Sequence, residues 1–235
     1  APGPPRRLSA GPGHHLPVRR ALRHRFGFGN PLRPHRVVVG EASSSRRDRR
    51  LGECVDFQVV AEIDVQTTAD GVVVLLHDDD LMRVASLPRR LRDIKYTELE
   101  DIDVGSWFAP EFSSERIPTL QEVIDLARGR IKLNIELKFT WPDPTLTQKV
   151  ADIIRQNNFY SDCVVSSLNF QAVTEMKAAF PKLATGFIVF TAAGNLSRME
   201  ADFLSISAAR AAPRLVRQLH RNGRAVHVWT VNDFN

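Results

Sequence analysis

The chain holds only two cysteines, Cys54 and Cys163, in 235 residues. That excludes a disulfide framework and a cysteine-based zinc ribbon. No uncharged apolar run approaches the ~18 residues that a membrane-crossing helix needs. No apolar stretch follows the first arginines, so the sequence predicts no signal peptide and a cytoplasmic location. There is no glycine-rich phosphate loop and no dinucleotide fingerprint, which argues against a nucleotide-binding open sheet. Residues 1–50 lack lysine and residues 1–34 lack any acid.

What is present is divided unevenly. The net charge of +5 is an average over two unlike parts. Residues 1–50 carry twelve arginines against Glu41 and Asp48, while the remainder is mildly acidic. Residues 1–34, rich in proline and arginine, have no helical or strand period and read as an irregular basic leader. Such a leader suits an anionic membrane surface. Its two aromatics, Phe26 and Phe28, make no stacking platform for bases, which argues against a nucleic-acid partner. Residues 35–235 read as the folded domain.

From residue 57 the period changes. Residues 57–65 and 72–77 predict two strands joined by turn residues, a link too short for a parallel crossover, hence a hairpin. Residues 79–116 are mixed and polar and read as an excursion rather than a core element. Residues 118–127 open with proline and carry Leu120, Val123, Ile124 and Ala127 on one helical face. Strands then alternate with helices: strands at 131–137, 163–168, 185–190, 203–206 and 225–231, and helices at 145–157, 171–180 and 213–220. That alternation predicts a parallel sheet with helices outside it, and the missing phosphate loop favours a barrel.

In a parallel barrel, chemistry collects at the C-terminal ends of strands. Glu62 and Asp64 stand at i and i+2 near the end of the first clear strand, so they face the same side. Glu136 and Lys138 repeat that spacing on the next parallel strand, and His77-Asp78 ends the hairpin. Unpartnered inward carboxylates are costly to bury. An oxygen-loving cation, Ca²⁺ or Mg²⁺, would relieve that cost. Cys163, His220 and His227 read as structural.

Five segments occur in order: Glu62-Ile-Asp-Val-Gln-Thr-Thr-Ala-Asp-Gly71, Leu76-His-Asp78, Arg116-Ile-Pro-Thr-Leu-Gln-Glu-Val123, Asn134-Ile-Glu-Leu-Lys138 and Val228-Trp-Thr-Val-Asn232. Together they resemble the glycerophosphodiester phosphodiesterases, over roughly three quarters of the chain. The resemblance implies an α/β fold, a TIM-type (β/α)8 barrel. It implies metal-dependent hydrolysis of a glycerophosphodiester to glycerol 3-phosphate and an alcohol. On it, Glu62, Asp64 and Glu136 are the metal ligands, and His35 and His77 the acid/base pair. Arg36 and Lys138 hold the phosphate, and Trp229 walls the pocket.

The chain departs from that family at both ends. His35-Arg36 lies where the family has His-Arg-Gly, but Val37 replaces the glycine. Ser43-Ser-Ser-Arg46 stands where a Pro-Glu-Asn-Thr-like motif belongs. Pro31 and Pro34 suit no central strand. The family's closing strand, with its Gly-Val-Asp-Gly-like run, is not found through Asn235. An incomplete barrel is therefore expected. So are two functional readings: an active phosphodiesterase, or a catalytically impaired truncated relative that retains only metal or phosphate binding.

Overall fold

A computed structural model of the chain describes residues 60–113, 115–190, 196 and 199–229. β1 (Val60–Thr67) turns back into β2 (Val73–Leu75), and the two pair antiparallel with Val65 opposite Leu75. The turn is built by side chains. Thr68 Oγ1 donates to Asp70 Oδ1 at 2.6 Å and accepts from the Val72 N–H at 3.0 Å. Gly71 supplies the left-handed backbone, φ 79°, that closes the turn.

The excursion after the hairpin contains a small antiparallel pair, β3 (Asp80–Leu81) and β4 (Leu87–Arg90), with one-turn helices α1 (Met82–Ala85) and α2 (Tyr96–Leu99). It differs from the polar excursion expected. Leu81, Val84, Leu91, Ile94 and Leu99 form a separate apolar cluster with Val74, Leu76 and Ile117. These residues follow neither a period of 2 nor one of 3.6, so no periodic signal exposes them.

Then the regular alternation begins. α3 (Leu120–Ala127) starts at Thr119, whose Oγ1 accepts from the Glu122 N–H while the Glu122 carboxylate accepts from the Thr119 N–H at 2.8 Å. This capping box satisfies two helix-terminal donors. Next come β5 (Lys132–Leu137), α4 (Leu146–Gln156), β6 (Cys163–Ser167), α5 (Phe170–Ala179), β7 (Thr185–Val189), β8 (Phe203–Ser207), α6 (Pro213–Arg221) and β9 (Ala225–Trp229).

The sheet runs β2-β1-β5-β6-β7-β8-β9 and is parallel everywhere except at the β1–β2 hairpin. From β1 onward the parallel strands keep to chain order without reversal. A doubly wound sheet reverses at its switch point, whereas a barrel is wound in one direction. The described residues form an incomplete α/β barrel of the TIM type.

The two faces of the sheet differ sharply. Ile63, Val65, Leu133, Ile135, Leu137 and Val165 point outward and pack against Val123, Ile124, Val150 and Ile154 of the helices. Each such fully buried side chain contributes about 1.5–3 kcal/mol. Val189, Leu204 and Ile206 continue this layer against Leu219 of α6. Cys163 belongs to it, and burial pushes its thiol up to about 12, so it is a core residue as expected. The inner face carries Glu62, Asp64, Gln66, Asn134, Glu136 and Ser166, which strand register brings to one side.

The inner face is also tightly fitted at Gly186. A Cβ there would lie 2.0 Å from Phe203 Cε2. The Phe203 ring is buried and stacks on His227 at 4.0 Å, so it has nowhere to move. Burial lowers His227 to about 4, which makes it a neutral structural ring at pH 7. Gly186→Ala is expected to destabilise the fold by about 1–3 kcal/mol in urea unfolding, the usual cost of overpacking. Adding Phe203→Leu is expected to recover part of that loss; no recovery would place the strain elsewhere.

Candidate active site

The centre of the site is set by strand register. β1 and β5 pair in parallel with Asp64 opposite Glu136 and Glu62 opposite Asn134. Side chains directly opposite in a parallel pair share a face, so Glu62, Asp64 and Glu136 converge. Lys138, two residues beyond Glu136, folds back among them. Its Nζ lies 3.2 Å from Asp64 Oδ1 and 3.2 Å from Glu136 Oε1. Ser166 Oγ donates to Asn134 Oδ1 at 2.9 Å and closes the polar layer below.

Three acids share one ammonium here, and their protonation reflects it. Burial, then the charges of Asp64 and Glu136, raise Glu62 to about 7, and a hydrogen bond to Glu136 reinforces the shift. Burial and Asp64 also raise Glu136, despite the opposing pull of Lys138. For Lys138, burial works to lower the pKa, but Asp64 and Glu136 outweigh it and hold the ammonium charged.

His77 stands at the end of β2, half exposed. The Leu76 N–H donates to the Asp64 carbonyl at 3.2 Å, which brings the histidine alongside the carboxylate strand. His77 Nδ1 is 2.8 Å from Asp78 Oδ1. Arg83 Nε donates to Asp78 Oδ2 at 2.5 Å. Burial opposes ionisation of Asp78, but these two partners win and its pKa is lowered. An ionised acceptor at Nδ1 assigns the ring proton there and leaves Nε2 for acid/base work. The Arg83 guanidinium lies over Trp107 at 5.2 Å.

Of the residues expected from the sequence, Glu62, Asp64, Glu136 and Lys138 come together, with His77 beside them. Trp229 lies at the far end of the described sheet, its ring parallel to Phe190 at 6.2 Å. Its buried Nε1 has no acceptor among the described residues. His35 and Arg36 lie outside the described residues. Among the described residues no three His, Cys, Asp or Glu side chains already form a coordinating group, and the Lys138 ammonium sits between two of the carboxylates. Among them, too, no helix is long and apolar enough to cross a membrane. Two residues escaped the sequence reading. Gln66 continues the Glu62, Asp64 face, a signal that alternation alone carries. Arg83 carries no signal, since only the folded excursion brings it to Asp78.

The raised Glu62 sets a pH dependence. An acid whose folded pKa exceeds its unfolded value of 4.5 favours folding at low pH, and that advantage is lost as pH rises through about 7. In chelator, Glu62→Gln is expected to match the parent's melting temperature at pH 5. At pH 8 it is expected to be the more stable by about 1–3 kcal/mol. Equal stability at both pH values would show that the carboxylates do not repel.

Comparison with known proteins is consistent with this geometry. Residues 59–234 match the model of the glycerophosphoryl diester phosphodiesterase family. The chain is 31% identical over 179 residues to the YhdW protein of Bacillus subtilis, covering 73% of this chain and 74% of the relative. It is 31% identical over 177 residues to the glycerophosphodiester phosphodiesterase of Caldanaerobacter subterraneus, covering 73% of each. The crystal structure of an Oleispira antarctica phosphodiesterase in complex with the product sn-glycerol-3-phosphate superposes with a TM-score of 0.64 at 28% identity, over 74% of this chain and 73% of that one. The parallel barrel, the carboxylates at its strand ends and this match over most of the chain lead to one conclusion: the protein belongs to the glycerophosphoryl diester phosphodiesterase family of hydrolases.

Proposed function

We propose that the chain hydrolyses glycerophosphodiesters to glycerol 3-phosphate and an alcohol, with a divalent cation held by Glu62, Asp64 and Glu136. The observation that carries this reading is the buried carboxylate trio. Burial, and then the charges of Asp64 and Glu136, raise Glu62 to about 7. An all-oxygen, triply carboxylate donor set suits a hard cation such as Ca²⁺ or Mg²⁺, whose charge would remove the repulsion. When bound, such a cation supplies charge neutralisation to a phosphodiester oxygen.

The chain's own residues account for the remainder. Lys138, held charged by its neighbours, offers the positive charge for a phosphate oxygen. His77 moves one proton through Nε2, and His35, outside the described residues, moves the other. One proton leaves the attacking hydroxyl as its oxygen bonds to phosphorus, and one reaches the leaving alkoxide as its bond to phosphorus breaks. The attacker is water or the neighbouring hydroxyl of the glycerol. Trp229, whose buried Nε1 has no acceptor among the described residues, walls the pocket, and Arg36 is a second phosphate contact. The Oleispira antarctica relative, with sn-glycerol-3-phosphate as its bound product, supports the glycerol phosphate half of the substrate. The basic leader, residues 1–34, precedes a barrel domain of residues 35–235 and favours contact with an anionic membrane surface.

Thermal melting with metal and turnover of glycerophosphocholine test this reading together. At a metal concentration 100 times Kd the melting temperature is expected to rise by roughly 5–10 °C. Glu62→Ala should abolish the rise. His77→Ala is expected to lower kcat about 10²–10⁴-fold. No metal-dependent rise in the parent, or full turnover in His77→Ala, contradicts the proposal. A normal rise with no turnover in the parent favours an impaired relative that keeps metal and phosphate binding alone.

A further inference from the structure

The inner face of β1 reads Glu62, Asp64, Gln66; beside it β5 carries Glu136, and the segment that follows β5 carries Lys138 and Thr140. The three carboxylates and the lysine have roles in the proposed reaction. Gln66 has none, yet it is only 1% exposed and its side-chain amide is richly bonded. Nε2 donates to the Leu76 carbonyl at 2.7 Å and to the Asp78 carbonyl at 2.8 Å. Oε1 accepts from Thr140 Oγ1 at 2.7 Å. The amide therefore grips the peptide units on both sides of His77 and anchors that grip to the segment that carries Lys138.

We propose that Gln66 is the positioning residue for His77: it holds the histidine's backbone at a set height beside the carboxylates, while Asp78, backed by Arg83, holds the ring. The inference rests on the acid/base role of His77 proposed above. The geometry explains why an amide is needed. Two carbonyls must be satisfied from one side, which takes a group with two N–H donors. The same group must accept from Thr140, which a lysine cannot do. A buried carboxylate would repel both carbonyls. Without the amide, the loop at 76–78 keeps its ladder bond from Leu76 to Asp64 and the Arg83–Asp78 pair, but the Leu76 and Asp78 carbonyls lose the group that ties them together.

A positioning residue acts through its target, so its effect should vanish when the target is removed. Gln66→Met keeps the length and apolar volume of the side chain and deletes its polar atoms. It is expected to lower kcat about 10–100-fold, the scale of an ~1 Å misplacement, with KM for glycerophosphocholine changed less than about threefold. In a His77→Ala background, Gln66→Met is expected to cost nothing further. If Gln66→Met does not fold at the assay temperature, Thr140→Val replaces it in the same cycle, since it removes only the hydroxyl that orients the amide. The imidazole ¹⁵N spectrum provides a readout without turnover. The parent should show one sharp His77 tautomer protonated at Nδ1, and the variant a broadened or mixed one. The same fold loss in both backgrounds, or an unchanged sharp His77 spectrum, overturns the inference and leaves the acid/base reading intact. Full turnover in His77→Ala overturns that reading, and the clamp's catalytic role with it.

Discussion

The in-register parallel pairing of β1 with β5 is the constraint on which the site depends. It sets Asp64 against Glu136 on the inner face, one step above Glu62. Coulomb repulsion between buried carboxylates is severe, and burial alone disfavours their ionised forms. The fold accepts this because the outer face of the same two strands is apolar apart from Thr67, which bonds Asp143. Ile63, Val65, Leu133, Ile135 and Leu137 are all 1% exposed or less. A slip of one residue would relieve the acids and expose that layer to the interior, so the hydrophobic term holds the register against the electrostatic one. The Lys138 ammonium offsets part of the charge, and burial together with the repulsion that remains keeps Glu62 raised to about 7.

The second feature is how a histidine on a hairpin, rather than on a barrel strand, is brought to that centre. Among the described residues β2 pairs with β1 alone in the sheet, and it ends after three residues. Beyond Leu75 one backbone bond, Leu76 to Asp64, is joined by side chains: Gln66 beneath the peptide units, Asp78 on the ring, Arg83 on Asp78. Arg83 in turn lies over Trp107, which packs on the excursion's own apolar cluster. The excursion is thus more than a decoration. It carries the residues that keep Asp78 ionised and pointed at His77.

The alternation of strands and helices was legible because each outward stripe packs on one partner layer and therefore keeps a clean period. Leu120, Val123, Ile124 and Ala127 are buried as their spacing requires. Glu62, Asp64 and Glu136 were legible for the same reason, since i and i+2 on a strand must share a face. The apolar cluster of the excursion was not legible. Its members come from turns and one-turn helices whose directions no period records. Gln66 lay in plain sight on the right face, but an amide has no charge to mark it. Its partners are backbone carbonyls, which every residue possesses.

The amino-acid sequence by itself determined the order of elements, the inward placement of the carboxylates and lysine, and the family resemblance carried by five ordered motifs. These are local properties, written in spacing and residue type. Only the tertiary structure decided that Lys138 folds back between Asp64 and Glu136, that burial and its neighbours raise Glu62, and that Gln66, Asp78 and Arg83 converge on His77. Each of those depends on which strands are neighbours and in what register, and on burial that no single segment can report.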